Sequence, residues 1–168
     1  MKSRNVIRLF MPLVLFITLG ARAQTSNQDK KKDQYNQLKA LIMSKHYTFN
    51  AETATAMGGT SRQLTSLYTL SISGDTLNAN LPYYGVAYSA SPGDTNGAIV
   101  FNTTSFSYEE QDTKKGGWFI VITPKDQKNA SKIQLSVSSG GYCTVQVTSN
   151  YRQLISFYGS IGPNPPER

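Results

Sequence analysis

Reactive side chains are scarce in this sequence. Its 168 residues include one cysteine, Cys143, and one histidine, His46. A lone cysteine closes no disulfide within the chain. One cysteine and one histidine cannot furnish a zinc site of the usual nitrogen and sulfur ligands. A histidine-based triad needs a nucleophile, a base and an orienting acid brought together, and no nucleophile signature accompanies His46. Its place at a helix-to-strand junction reads as a surface or helix C-terminal histidine. Cys143 is in phase with Val145 and Val147, the position of a buried structural thiol rather than an electropositive, reactive one. Phosphate loops are missing too: Gly116-Gly117 and Gly140-Gly141 lie in turns that no helix follows. Glu109, Glu110 and Asp112 could offer oxygens to calcium, but such a site needs six or more from converging loops. In a strand-to-turn segment they read as solvent-facing. No catalytic residue, metal site or cofactor is assigned.

Long apolar runs are also missing, with one exception at the start. Lys2, Arg4 and Arg8 precede the run Leu9 to Leu19, and Ala21-Arg22-Ala23 follows it. A basic start, a short apolar stretch and small residues two apart form the pattern of a secretory signal peptide over 1–23, with cleavage expected before Gln24. The run is short for a membrane span, so none is expected after cleavage. Removal takes four basic residues (Lys2, Arg4, Arg8, Arg22) and no acid, which lowers the formal net charge from +7 to +3. Nucleic acid is therefore not an expected partner, and Lys30-Lys31-Lys32 reads as a solvated helix face. No cysteine follows the cleavage point to carry a lipid. The expected location is periplasmic or secreted.

What is present is alternation. Tyr35, Leu38, Leu41 and Ile42 recur at helical spacing, which predicts one amphipathic helix over 28–44, opened by Ser26 and Asp29, after a linker at 24–27. The period then changes to two. Strands are predicted at 46–51 and 64–73, the latter turning through Gly74-Asp75 into a strand at Leu77, Ala79 and Leu81. The small, polar segment 52–62 reads as a loop, and 85–97 as a loop with at most a short strand at Val86–Tyr88. Further strands are predicted at 98–101, 105–110, 118–123, 133–137, 143–147 and 154–158. The tail 161–168, with Pro163, Pro165 and Pro166, is expected to be loose. With no repeated strand–helix alternation, a parallel sheet is not expected. The fold class is mainly β (α+β): a curved antiparallel sheet, sandwich or partial barrel of eight or nine short strands in one domain over 24–160, with the helix covering a face or an open end.

These elements resemble an exported family of unknown function, domain-of-unknown-function family 4251, whose members occur mostly in Bacteroidota-type bacteria. The resembling stretches are Leu41 to Phe49, Gly74-Asp75, Leu81-Pro82-Tyr83-Tyr84-Gly85 and Arg152 to Gly159, within roughly residues 35–160. The Leu-Pro-Tyr-Tyr-Gly string is the most specific of them. The resemblance implies secretion and a compact domain, and no known activity.

Aromatic clusters supply the candidate site. Tyr83, Tyr84 and Tyr88 gather around the central loop, while Tyr142, Tyr151 and Tyr158 lie near the last hairpin with Arg152. Tyrosine offers apolar area with a hydrogen-bonding tip, suited to glycan, peptide or envelope-protein contacts. The alternative is that these rings complete the core. The leading expectation is a non-enzymatic binding or envelope-associated domain with Tyr83, Tyr84, Tyr88 and Arg152 as ligand contacts. A hydrolase of envelope material using paired carboxylates among Asp75, Asp94, Glu109 and Glu110 is the second. The third is an inhibitor-like scaffold for protein–protein interaction.

Overall fold

A computed structural model describes residues 21–88 and 98–166. Two compact units are resolved, one ending at Gln34 and the other running from Tyr35 onward. One helix, α1 (Ala21–Ser44), crosses that division. It begins seven residues before the predicted start, through the expected linker at 24–27. Neither glycine nor proline occurs within it, so the helix has no internal stop. Asn27–Gln34 are exposed on every side, whereas Leu38 and Ile42 are buried and Tyr35 stacks on Trp118 with ring centroids 5.4 Å apart. The last two and a half turns of α1 therefore carry its apolar stripe.

Nine strands follow: β1 (His46–Ala56), β2 (Ser61–Ser73), β3 (Thr76–Leu81), β4 (Ile99–Thr103), β5 (Phe106–Asp112), β6 (Trp118–Pro124), β7 (Lys132–Val137), β8 (Tyr142–Thr148) and β9 (Ile155–Pro163). Every neighbouring pair is antiparallel, in the order β4-β3-β2-β1-β9-β8-β7-β6-β5. The expected curved antiparallel sheet is thus a nearly closed barrel. Alternation fills it: Tyr47, Phe49, Leu70, Ile72, Leu77, Leu81, Ile120, Leu135, Val145 and Phe157 are buried, and their sequence neighbours mostly face outward.

Closure has a consequence at β4 and β5. Across nine antiparallel strands the first and last run the same way. These two are consecutive, joined by Thr104 and Ser105 alone. Two residues cannot carry a chain back to start a parallel neighbour. β4 and β5 are therefore halves of one path, the first laddered to β3 and the second to β6. The corner is pinned to the loop after β6. The Thr103 hydroxyl donates to the Asp126 carboxylate at 2.8–2.9 Å, and the Ser105 N–H donates to that hydroxyl oxygen at 2.9 Å. The Lys125 N–H reaches the Ser105 carbonyl at 2.8 Å.

Two segments depart from the sequence reading. The expected loop 52–62 is the end of β1, a tight turn and the start of β2. A one-residue bulge at Glu52 shifts the pairing with β9 from Ala51–Gly159 to Thr53–Tyr158. It flips the phase of β1, so Ala54 rather than Thr53 faces the core, and it hides the period-two signal. Opposite it, β2 runs five residues from Gln63 to Tyr68 while β1 advances two, and this excursion leaves Leu67 exposed. The expected loose tail begins later than residue 161. β9 continues to Pro163 against Tyr47, and the Asn164 amide accepts from Thr48 at 2.8 Å and donates to the Ile72 carbonyl at 2.9 Å.

Candidate functional site

The Leu81–Tyr88 segment follows β3. Leu81 and Pro82 are buried, Tyr83 is half-buried, and Tyr84, Val86 and Tyr88 are exposed. The local sequence explains the shape. Pro82 ends the strand by removing a backbone donor. Tyr83 then folds back over Gly85 so closely that a Cβ there would lie 2.5 Å from its hydroxyl oxygen. From that position the hydroxyl shares its one proton between the Val86 and Gln153 carbonyls, at 3.0 and 2.9 Å. The segment is laced to the chain before β9 by an Ala87–Arg152 bridge, by Gln153 N–H to the Val86 carbonyl at 3.0 Å, and by Tyr88 N–H to the Tyr151 carbonyl at 2.8 Å.

The four candidate residues divide by setting. Arg152 is buried, its guanidinium carbon 5.0 Å from the Tyr83 ring centre. Burial raises the Tyr83 phenol pKa, against the opposing pull of Arg152. These two side chains fasten the loop. Tyr84 and Tyr88 are 41% and 68% exposed. The Arg62 guanidinium carbon lies 5.2 Å from the Tyr84 ring centre. Desolvation and the neighbouring Tyr68 hydroxyl push the Tyr84 phenol up, with Arg62 opposing. The structure thus brings Tyr83 and Arg152 together across 69 residues of sequence and presents Tyr84 and Tyr88 to solvent beside Val86.

A second region escaped the sequence reading. Between the β2–β3 turn and β5 lies a pocket of about 410 Å³ lined by Lys45, Gly74, Asp75, Thr104, Phe106 and Tyr108. It occupies the side of β5 that no strand pairs with in the sheet order. Lys45 ends α1 in the left-handed region at φ 53°, and its Nζ sits 4.8 Å from the Tyr108 ring centre. Tyr108 reaches across the barrel to Tyr47, hydroxyl to hydroxyl at 3.2 Å. Burial pushes both phenols well above their ordinary range. The Gly74-Asp75 turn has positive φ at its first position only, the II′ hairpin form. Gly74 N–H donates to the Lys45 carbonyl at 2.9 Å, which locks this turn to the helix end. Nothing in the local pattern around Lys45 or Tyr108 marks them, because the pocket exists only once the barrel closes.

The remaining candidates fall elsewhere. Asp75 lines that pocket, Glu109 and Glu110 are exposed along β5, and Asp94 lies outside the described residues. The exposed His46 ring places Nδ1 2.8 Å from the Ser44 carbonyl. A carbonyl only accepts, so that nitrogen carries the proton, capping a terminal helix carbonyl. Cys143 is buried, and desolvation pushes its thiol up to about 12. Among the described residues no group of three or more His, Cys, Asp or Glu side chains is arranged to hold a metal ion. No helix among them is long and apolar enough to cross a membrane.

A helix-started antiparallel barrel whose meander closes through a split strand is the class of protein defined here. The family model "Domain of unknown function (DUF4251)" matches residues 29–161, and the chain belongs to that family. A crystal structure of a DUF4251 family protein from Bacteroides eggerthii is similar in fold, with a TM-score of 0.55 and 17% identity over 77% of this chain and 87% of that one. No curated protein matches.

Proposed function

We propose that this chain is a non-enzymatic exported binding domain, acting in the periplasm or outside the cell. It holds a peptide or protein segment of the envelope against Tyr84, Val86 and Tyr88. The observation carrying this reading is the pairing of exposed apolar and aromatic side chains with a rigid base. Tyr83 and Arg152 fix the loop from beneath, so Tyr84 and Tyr88 are displayed with little ordering left to do on binding. Tyrosine and valine supply apolar contact, and the phenol tips and Arg62 supply polar rim contacts. The basic start, short apolar run and Ala21-Arg22-Ala23 support export.

The test places a photo-crosslinking amino acid at position 84 or 88 in cells. A discrete adduct to an envelope protein is expected from both positions, and none from the inward-folded position 83. No adduct from either would end this reading. N-terminal sequencing of the exported form should begin at Gln24; a chain retaining Lys2 would refute the location.

A further inference from the structure

We propose that the outer face of β7–β8–β9–β1 is a platform for a neutral polysaccharide, with Tyr142 and Tyr158 as its stacking residues. Tyr142 and Tyr158 are 56% and 45% exposed, and their rings are parallel to within 8° with centroids 6.1 Å apart. They sit diagonally on the sheet, since Tyr142 faces Ser160 and Tyr158 faces Thr144 across the β8–β9 ladder. Such a pair offers flat apolar area for the C–H faces of sugar rings, and each phenol adds a donor and acceptor.

The surroundings select the ligand. Alongside Tyr158 the ladder sets Ser136, Thr144 and Thr53 in one cross-strand row. The next row holds Gln134, Gln146 and Ser156. None of these is buried, and none is charged. A soluble surface carries charge at about a quarter to a third of its positions. This chain has such charge elsewhere, with Glu109, Glu110 and Asp112 on β5 and Lys30 to Lys32 on α1. Two charges border the face: Glu52 in the β1 bulge, whose Oε1 accepts from the Ser160 hydroxyl at 3.2 Å, and Lys132, exposed at the start of β7 opposite Thr148. Amides and hydroxyls that donate and accept in equal measure match sugar hydroxyls. An anionic or cationic polymer would meet a single counter-charge at the margin of these rows, Lys132 or Glu52. A protein partner would bring an apolar interface core; on β7, β8, β9 and β1 these rows hold polar side chains and Tyr158, and their half-buried apolar residues, Phe119 and Val121, lie beyond the face on β6.

Affinity electrophoresis of the exported chain through gels containing hydroxyethylcellulose, amylopectin or mannan tests this. Polygalacturonate serves as the charged control. Retardation is expected in at least one neutral gel and should persist between about 0.05 and 0.5 M salt, since no ion pair is screened. Tyr142→Ala and Tyr158→Ala should each weaken it by about tenfold. Tyr84→Ala with Tyr88→Ala should leave it unchanged, which separates this face from the loop site. Circular dichroism of each variant should match the parent spectrum, since the substituted side chains are exposed. Migration unaffected by every neutral polymer would overturn the proposal. So would retardation confined to polygalacturonate, or retardation that survives loss of both Tyr142 and Tyr158.

Discussion

The wall β7–β8–β9–β1 and the seam at β4–β5 are written in the same alternating sequence, yet they satisfy their backbones differently. In the wall every strand has a ladder on both sides. At the seam β4 has only β3 and β5 only β6, and side chains make the closure: Thr103 to Asp126 at one end, and Tyr108 to Tyr47 with Lys45 above it at the other. Backbone pairing is dense and unforgiving of added atoms. Side-chain closure is adjustable and leaves room for a pocket. The outward faces differ as well: sparsely charged on the wall, with Glu52 and Lys132 at its margins, and acidic along β5, where Glu109, Glu110 and Asp112 also discourage edge-to-edge pairing with another chain.

The sharpest way to break this contrast is Gly159→Ala in the wall. A Cβ there would overlap the Asn50 backbone carbonyl oxygen and sit 3.1 Å from Phe49 Cε2. Both neighbours are held by paired strands, so relief requires moving the β1–β9 ladder. The expected loss is about 3 kcal/mol, read from the urea midpoint. A midpoint unchanged from the parent would mean that the wall yields as easily as the seam.

Alkaline titration separates the two regions next. Cys143, in the wall, has a folded pKa of about 12 against an ordinary 9.0. Between those values the unfolded chain has lost the proton and the folded one has kept it. Stability from this group is therefore complete below pH 9 and falls as pH rises toward 12. The slope is at most about 1.4 kcal/mol per pH unit. The phenols of Tyr47 and Tyr108 are also raised, from an ordinary 10.0, so their contribution to the fall starts later. Denaturation series at stepped pH should show Cys143→Ala flattening the curve from pH 9 upward, and Tyr108→Phe altering it only above pH 10. Identical curves for the parent and Cys143→Ala would contradict the buried thiol.

How far sequence reached follows the same division. The hairpins of β7, β8 and the first part of β9 were legible because Ile133, Leu135, Val137, Cys143, Val145 and Val147 alternate without interruption. The helix stripe was legible from Tyr35, Leu38 and Ile42. The end of β1 was not, because the Glu52 bulge resets the period between Ala51 and Ala54. The seam was not, because continuity of β4 with β5 follows from strand count and direction around the barrel. At the tyrosine loop, the Leu-Pro-Tyr-Tyr-Gly string marked the place. It did not divide the labour, since Tyr83 is fixed by Arg152 and Gln153, far along the chain.

At the corner of the seam, Thr103→Val keeps the shape and removes the hydroxyl that joins Asp126 to the Ser105 N–H. Asp126 is exposed and regains water, so the cost is about 1 kcal/mol. The effect should be local. Amide exchange in β4 and β5 should quicken relative to β8 and β9. Uniform acceleration across all nine strands would show that the corner is part of the global fold rather than its clasp.

The smallest expected change is the most diagnostic for the pocket. Lys45 holds φ 53° at the helix end, where glycine is the easy residue. A non-glycine side chain in that conformation costs about 1 kcal/mol. Its ammonium over the Tyr108 ring returns about 0.5–1 kcal/mol. Lys45→Gly relieves the first and forfeits the second, so its urea midpoint should stay near that of the parent. Lys45→Ala keeps the backbone strain and loses the cation, and should fall below both. Lys45→Arg keeps both terms and should match the parent. If Lys45→Gly instead proves as damaging as Lys45→Ala, the backbone term is negligible and the ammonium accounts for the residue. If the two glycine and alanine variants both match the parent, neither term operates, and the left-handed lysine beside the pocket has no energetic role in closing the barrel.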